Sequence, residues 1–373
     1  MNVFVTDANY RHALGAIRSL AGHGARVTAG APSRIAQGML SRYAKARVVY
    51  PSPKDEERFV GFMERFLERS GIDVLLPIGY QSSVVCSKHC DRLSRHAKIP
   101  IAPYEAMEIA SHKDKTFALA ERLGIGRPRV FGSAGEVDRF PVVVKGTQES
   151  KSLRYVNSRE ELARVDAREG IIQEYIPGAG YGFYALYRHG EMRAYFMHRR
   201  LREYPITGGA STAAESVHDP ALNEAGRALL DTLGWHGVAM VEFKKDERDG
   251  RFKLIEINPK FWGSLDLSVA AGVDFPYLAA KMALDGDIDT VPGYQVGVRF
   301  RWLFPDEILH LAANPRAFGA FCRDFLDRQM HVNIDLTDPV PTLFQIGETA
   351  IKLVTRALQG RLRYPHGVPR MGR

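Results

Sequence analysis

Two segments of this chain place carboxylates where apolar strand residues are the rule. Val241-Glu242-Phe243 and Ile255-Glu256-Ile257-Asn258-Pro259 each set acids between apolar neighbours. In an extended strand, residues two apart share a face. Glu256 and Asn258 therefore project together, while Ile255 and Ile257, like Val241 and Phe243 beside Glu242, point the other way. Two acids and an amide on one face of a buried sheet are costly unless a cation satisfies them. A hard cation such as Mg²⁺, which takes oxygen ligands and shares them with phosphates, fits that donor set. The competing reading is a solvent-facing sheet edge with ordinary charged residues.

A cation that carries a triphosphate needs more positive charge around it. Lys145 ends the apolar run Pro141-Val142-Val143-Val144, and Lys113 opens a predicted helix. Either lysine alone could simply be reaching for water. A third group, Arg199, Arg200 and Arg202, precedes Gly208-Gly209-Ala210-Ser211-Thr212. If that segment is a strand, Arg199 and Arg200 face opposite ways, so at most one of them looks toward Glu242. An arginine fork there suits a substrate carboxylate or phosphate, and Arg199 is the candidate carried forward.

These residues need elements to hold them. The first hundred residues alternate short apolar strands (3–6, 26–30, 73–77) with the amphipathic helices 11–22 and 56–70. That alternation implies a parallel sheet covered by helices, an α/β arrangement. The turn 6–15 after the first strand has no glycine until Gly15, so the dinucleotide fingerprint is missing. Asp7, Asn9 and Arg11 nevertheless sit at the carboxyl end of that strand. A second unit begins near Ser111 with helix 113–123, strand 140–145 and strand 171–176. Two long strands, 181–188 and 191–204, flank the turn His189-Gly190, and 207–212 reads as a loop. Helix 220–233 follows, and then the hairpin 238–244 with 252–258, which brings Glu242 beside Glu256.

At ~150 residues per domain, 373 residues make two or three domains. With 45% hydrophobic and 25% charged residues, a disordered chain or a small disulfide scaffold is excluded. Apolar runs fall far short of the ~20 residues that span a bilayer, and the start does not read as a secretory signal. Cys86, Cys90 and Cys322 have no evident metal-ligand partners, and a cytoplasmic location is expected. The net charge is +8, but residues 349–373 hold six basic and no acidic side chains. The remaining 45 basic and 43 acidic residues nearly cancel. An extended nucleic-acid surface is therefore not expected.

The order of these features resembles the ATP-grasp superfamily of carboxylate–amine ligases, most closely a bacterial group known only as predicted carboligases. The matching segments are His112-Lys113-Asp114-Lys115, Val142-Val143-Val144-Lys145, Gln173-Glu174-Tyr175-Ile176-Pro177-Gly178, Val241-Glu242-Phe243 and Glu256-Ile257-Asn258-Pro259-Lys260-Phe261-Trp262-Gly263-Ser264. Five motifs in one order over about 150 residues are far more specific than any one of them. The resemblance implies an α/β ATP-grasp fold: an N-terminal Rossmann-like domain (1–110), a small α+β lid (111–178) and a C-terminal α+β catalytic domain (179–298). Residues 299–373 are expected to be a helical extension with a basic tail.

By the same resemblance, Lys113 and Lys145 hold phosphates, and Gln173, Glu174, Tyr175 and Ile176 form the hinge around the adenine. Glu242, Glu256 and Asn258 become ligands of Mg²⁺, or of Mn²⁺ in its place. Lys260 stands where many relatives carry an arginine. Three departures are visible. The segment after Lys145 is not glycine-rich, leaving Ser150 and Ser152 with backbone amides to cradle phosphate. No acid follows the hinge to hold a ribose. Met240 occupies the position of an arginine found in peptide-forming relatives, so charge at a developing oxyanion falls to Lys260 or the Arg199 cluster.

The implied reaction transfers the γ-phosphoryl group of ATP to a carboxylate, after which an amine displaces phosphate. The partners are then small carboxylate and amine substrates. A bicarbonate-using carboxylase of the same superfamily and an inactive nucleotide-binding regulator are the alternatives, and homo-oligomerisation stays open. In the tail, Leu343, Ile346, Ala350, Val354, Ala357 and Leu358 recur at helical spacing. The favoured expectation is a helix packed on the body by this stripe. The other is peripheral contact with an anionic membrane through the stripe and the basic end.

Overall fold

The protein is described by a computed structural model for residues 1–146, 153–165, 170–364 and 366–370. Three sheets organise the described residues. The first has the order β3-β2-β1-β4, from Asn2–Val5 (β1), Arg26–Ala31 (β2), Ala44–Val49 (β3) and Val74–Leu76 (β4), all parallel. Val3, Phe4, Val5, Leu75 and Leu76 are completely buried, as strands covered on both faces require. The helix Arg11–Gly22 packs Ala13, Ala16, Ile17 and Leu20 into this core.

The second sheet is small and antiparallel, with order β5-β8-β6-β7 from Val130–Phe131 (β5), Val142–Gly146 (β6), Leu153–Val156 (β7) and Gly170–Glu174 (β8). It has a core of its own, seven buried side chains that include Phe131, Val144 and Ile172. The third sheet has seven strands in the order β13-β12-β9-β10-β11-β14-β15. They are Gly180–Arg188 (β9), Glu191–Tyr204 (β10), Ala210–Ser216 (β11), Gly237–Lys245 (β12), Phe252–Asn258 (β13), Arg299–Arg301 (β14) and Met330–Val332 (β15). The β9–β10 hairpin turns on His189 and Gly190, both in the left-handed region (φ 45° and 86°), where glycine is the least strained residue. Apolar side chains of the first and third sheets share two continuous clusters, so these two sheets pack as one body.

The structure corrects three expectations. The segment read as the loop 207–212 becomes β11 from Ala210 onward. Ala213 and Ala214 have little strand propensity of their own, yet both are fully buried where β11 pairs with β10 and β14. Residues 299–373 are not purely helical, because β14 and β15 extend the large sheet, with Phe300 supplying the buried side of β14. The C-terminal helix Pro339–Leu358 does not pack by its apolar stripe. It turns Thr342, Gln345 and Thr349 inward and leaves Leu343, Ile346, Val354 and Leu358 exposed. The reason is local: the body presents Gln37, Asn333 and Tyr204 to this helix, and those groups need polar partners. No helix among the described residues is long and apolar enough to cross a membrane.

Candidate active site

Glu242 of β12 and Glu256 of β13 are direct register partners in an antiparallel ladder, and Asn258 lies opposite Met240 on the same hairpin. On its other side Glu242 is in register with Gly182 of β9. Gly180, Gly182 and Tyr184 alternate along that strand and look into the same space. A Cβ at Gly182 would collide with the Tyr184 hydroxyl, and one at Gly180 would lie 2.8 Å from Arg200 Cδ. The two glycines thus leave room for larger groups above the sheet.

Those groups line a cleft of about 390 Å³. Lys113 Nζ, from the helix Lys113–Arg122, meets Glu256 Oε2 at 2.8 Å, and Arg200 Nη2 meets Glu242 Oε2 at 2.8 Å. Asn258 Nδ2 donates to Glu256 Oε1 at 3.1 Å. Lys145, at the end of β6, is buried in the same cleft.

Protonation follows from this crowding. Burial and then the charge of Lys113 bring Lys145 down to about 8, against the pull of Glu256 and Glu242. Burial pushes the Glu242 carboxyl up, opposed mainly by Arg200. Burial acts on Glu256 in the same sense, but Lys113 and Lys145 overcome it and hold that acid well below the usual carboxylate range. The two acids are electrostatically unlike, although they face each other.

Most of the sequence candidates meet here. Lys113, Lys145, Gln173, Tyr175, Ile176, Glu242, Glu256, Asn258 and Lys260 all line the cleft. Glu174 does not: its carboxylate turns away to Arg248 at 2.6 Å and accepts from the Arg129 amide at 3.1 Å. Arg199 does not either. It pairs with Glu215 at 2.8 Å, and the cleft-facing member of the cluster is Arg200. The cause is register: Arg199 pairs with Tyr181, on the side of β9 opposite Gly180 and Gly182. Ser150 and Ser152 lie outside the described residues.

Other cleft residues were not among the site candidates of the sequence. Arg11 reaches across from the first helix, where Nε donates to Gly263 O at 2.7 Å and Nη2 to Ser211 O at 2.9 Å. It also pairs with Asp306 and lies over the Trp302 ring. Its place at the carboxyl end of β1 was the available signal. Lys244 Nζ donates to Ile176 O at 2.8 Å, tying the large sheet to the segment after β8. Tyr184 hydrogen-bonds His198, which burial and then Arg200 keep neutral.

Among the described residues no group of three His, Cys, Asp or Glu side chains gathers as a metal site. The candidate set is two carboxylates and an amide, all oxygen-bearing, on one face beside Lys113 and Lys145. It fits Mg²⁺ or Mn²⁺ shared with a phosphate better than a closed all-protein cage.

A cleft between a small antiparallel sheet and a large one, lined by these lysines and acids, defines the class: the chain has an ATP-grasp fold. More narrowly, residues 166–304 match the family model described as ATP-grasp in the biosynthetic pathway with Ter operon. Over 77 residues the chain is 36% identical to the D-alanine–D-alanine ligase of Fusobacterium nucleatum, covering 20% of this chain and 27% of that one. The chain spans about a quarter to a third of the length of the curated relatives it matches. Among solved structures, the L-amino acid ligase from Bacillus licheniformis superposes with a TM-score of 0.60 at 18% identity, covering 76% of this chain and 74% of that one. The biotin carboxylase domain dimer of Hydrogenobacter thermophilus 2-oxoglutarate carboxylase, solved with MgADP, ADP and bicarbonate, gives 0.60 at 15% identity, covering 79% and 72%.

Proposed function

We propose that the chain is an ATP-dependent ligase that activates a small carboxylate as an acyl phosphate for attack by an amine. The observation that carries this reading is the register pair Glu242–Glu256, with Asn258, facing Lys113 and Lys145 across one cleft. Lys113 and Lys145 hold the phosphates of ATP, Ser150 and Ser152 cover them, and Gln173, Tyr175 and Ile176 take the base end, with Glu174 contributing backbone only. Mg²⁺ or Mn²⁺, held by Glu242, Glu256 and Asn258, would neutralise charge on the transferring phosphoryl group.

The chemistry needs positioning more than a strong base. A carboxylate is a poor electrophile, and its phosphorylation creates a leaving group that an amine can displace. Arg200 takes the role expected of Arg199, orienting the carboxylate or its oxyanion together with Lys260. Arg11 holds the Ser211 and Gly263 backbones that border this end of the cleft. The division into 1–110, 111–178, 179–298 and 299–373 goes with this reading, with β14 and β15 counted to the large sheet. So does a cytoplasmic location, where ATP is supplied.

ADP release with pooled carboxylates and amines tests the proposal. No release with any pool would favour the inactive regulator. A second reading, a carboxylase-type reaction on bicarbonate, draws on the 25% identity over 217 residues to the carbamoyl phosphate synthase large chain, N-terminal section, of Methanopyrus kandleri. ADP release that depends on bicarbonate rather than on an organic acid would select it.

A further inference from the structure

The C-terminal helix Pro339–Leu358 is amphipathic in the sense opposite to that of a helix packed on a protein body. Its inner face is largely polar: Thr342, Gln345 and Thr349 are buried there, with Pro341 and Leu353 as the apolar contacts. Gln345 Nε2 donates to Gln37 Oε1 at 2.6 Å, and Asn333 Nδ2 donates to Gln345 Oε1 at 3.3 Å. Arg356 lies over the Tyr204 ring and donates to its hydroxyl at 2.8 Å. The outer face carries Leu343, Ile346, Ile351, Val354 and Leu358, between 41% and 84% exposed.

The exposure is local. Of the nineteen large apolar side chains exposed among the described residues, twelve lie between positions 318 and 364. Scattered exposed apolar residues need no explanation, but a contiguous face held outward by polar contacts on its back marks a contact surface. Positive charge gathers at the same end. Residues 349–373 contain six basic and no acidic side chains, and Arg361 and Arg363, just past the helix, are exposed.

We propose that this face seats on an anionic lipid surface, with the helix lying in the plane of the interface. Its apolar side chains enter the acyl boundary, and Arg361 and Arg363 meet the headgroups. The contact is peripheral, since the helix is not apolar enough to cross. A second copy of this chain is a poorer match for the charge. The one acid on the helix, Glu348, is already paired with Lys352 at 2.8 Å, so a helix-on-helix contact offers the cationic tails no counter-charge there.

Co-sedimentation of the full-length protein with vesicles tests the proposal, using phosphatidylcholine alone or mixed with phosphatidylglycerol. Binding is expected to the mixed vesicles at low salt and to weaken as salt is added. The pair Ile351→Glu and Val354→Glu should abolish it while leaving the melting temperature and ADP release unchanged, because both side chains face water. The pair Arg361→Ala and Arg363→Ala should weaken it roughly thirtyfold, two cations leaving the anionic surface. No binding to the mixed vesicles at low salt overturns the proposal, as does equal binding to neutral vesicles or binding that survives both pairs. A dimer in sedimentation velocity that the Ile351→Glu and Val354→Glu pair dissolves assigns the face to a second copy and also overturns it.

Discussion

Glu242 and Glu256 face each other across the β12–β13 ladder, and each carries its own cation: Arg200 on the first, Lys113 on the second, both at 2.8 Å. The two acids reach the cleft with opposite protonation tendencies, one pushed up by burial and one held down by two lysines. If Glu256 is a metal and phosphate-side group, Glu256→Gln should keep the fold and lower ATP turnover about a hundredfold. ADP release under saturating Mg²⁺ measures this, and a near wild-type rate would sink the assignment.

Neighbouring arginines should separate cleanly. Arg200→Ala leaves Glu242 buried without its partner, which should cost about 3 kcal/mol of stability in urea unfolding and remove turnover. Arg199→Ala breaks a half-exposed pair with Glu215 and should cost less than about 1 kcal/mol with turnover retained. Equal losses from both would contradict the facing of β10.

Nucleotide affinity should depend on Lys145. Lys145→Ala is expected to weaken ATP binding by at least about tenfold in calorimetric titration, the loss of one charge-assisted contact to phosphate. Lys54→Ala removes an exposed lysine from an ordinary charged stretch and should leave affinity unchanged.

One histidine should shape acid stability far from the cleft. Burial, then the charges of His189 and Arg188, lower His236 from 6.5 to about 4, and its Nδ1 accepts the His189 amide at 3.3 Å. Between those two values the unfolded chain binds a proton that the folded protein resists, so stability falls as pH drops from 6.5 toward 4. Below that window both states are protonated and the term is constant. His236→Asn keeps an acceptor and should flatten this part of the profile of unfolding free energy against pH, by up to roughly 2 kcal/mol. An unchanged slope would show that other groups carry the acid response.

The sequence by itself determined most of the candidate residues that gather in the cleft. Strand periodicity put Glu256 and Asn258 on one face, the hairpin brought Glu242 beside them, and helix and strand ends marked Lys113 and Lys145. These follow from local rules, because side-chain direction within one strand or hairpin depends on neighbours only a few residues away. Tertiary structure decided which way each face looked. Alternation separates Arg199 from Arg200, but only the register of β10 on β9 turns Arg200 to the cleft. Its Gly, Ser and Thr content reads 207–212 as a loop, and only ladders on both sides make a strand of Ala210–Ser216. Arg11 is sequentially remote from Ser211 and Gly263, and nothing local announces their contact. The C-terminal helix is the sharpest case: its apolar stripe is plain in the sequence. Whether a stripe is buried depends on what the body offers opposite it, and Gln37, Asn333 and Tyr204 offer hydrogen bonds.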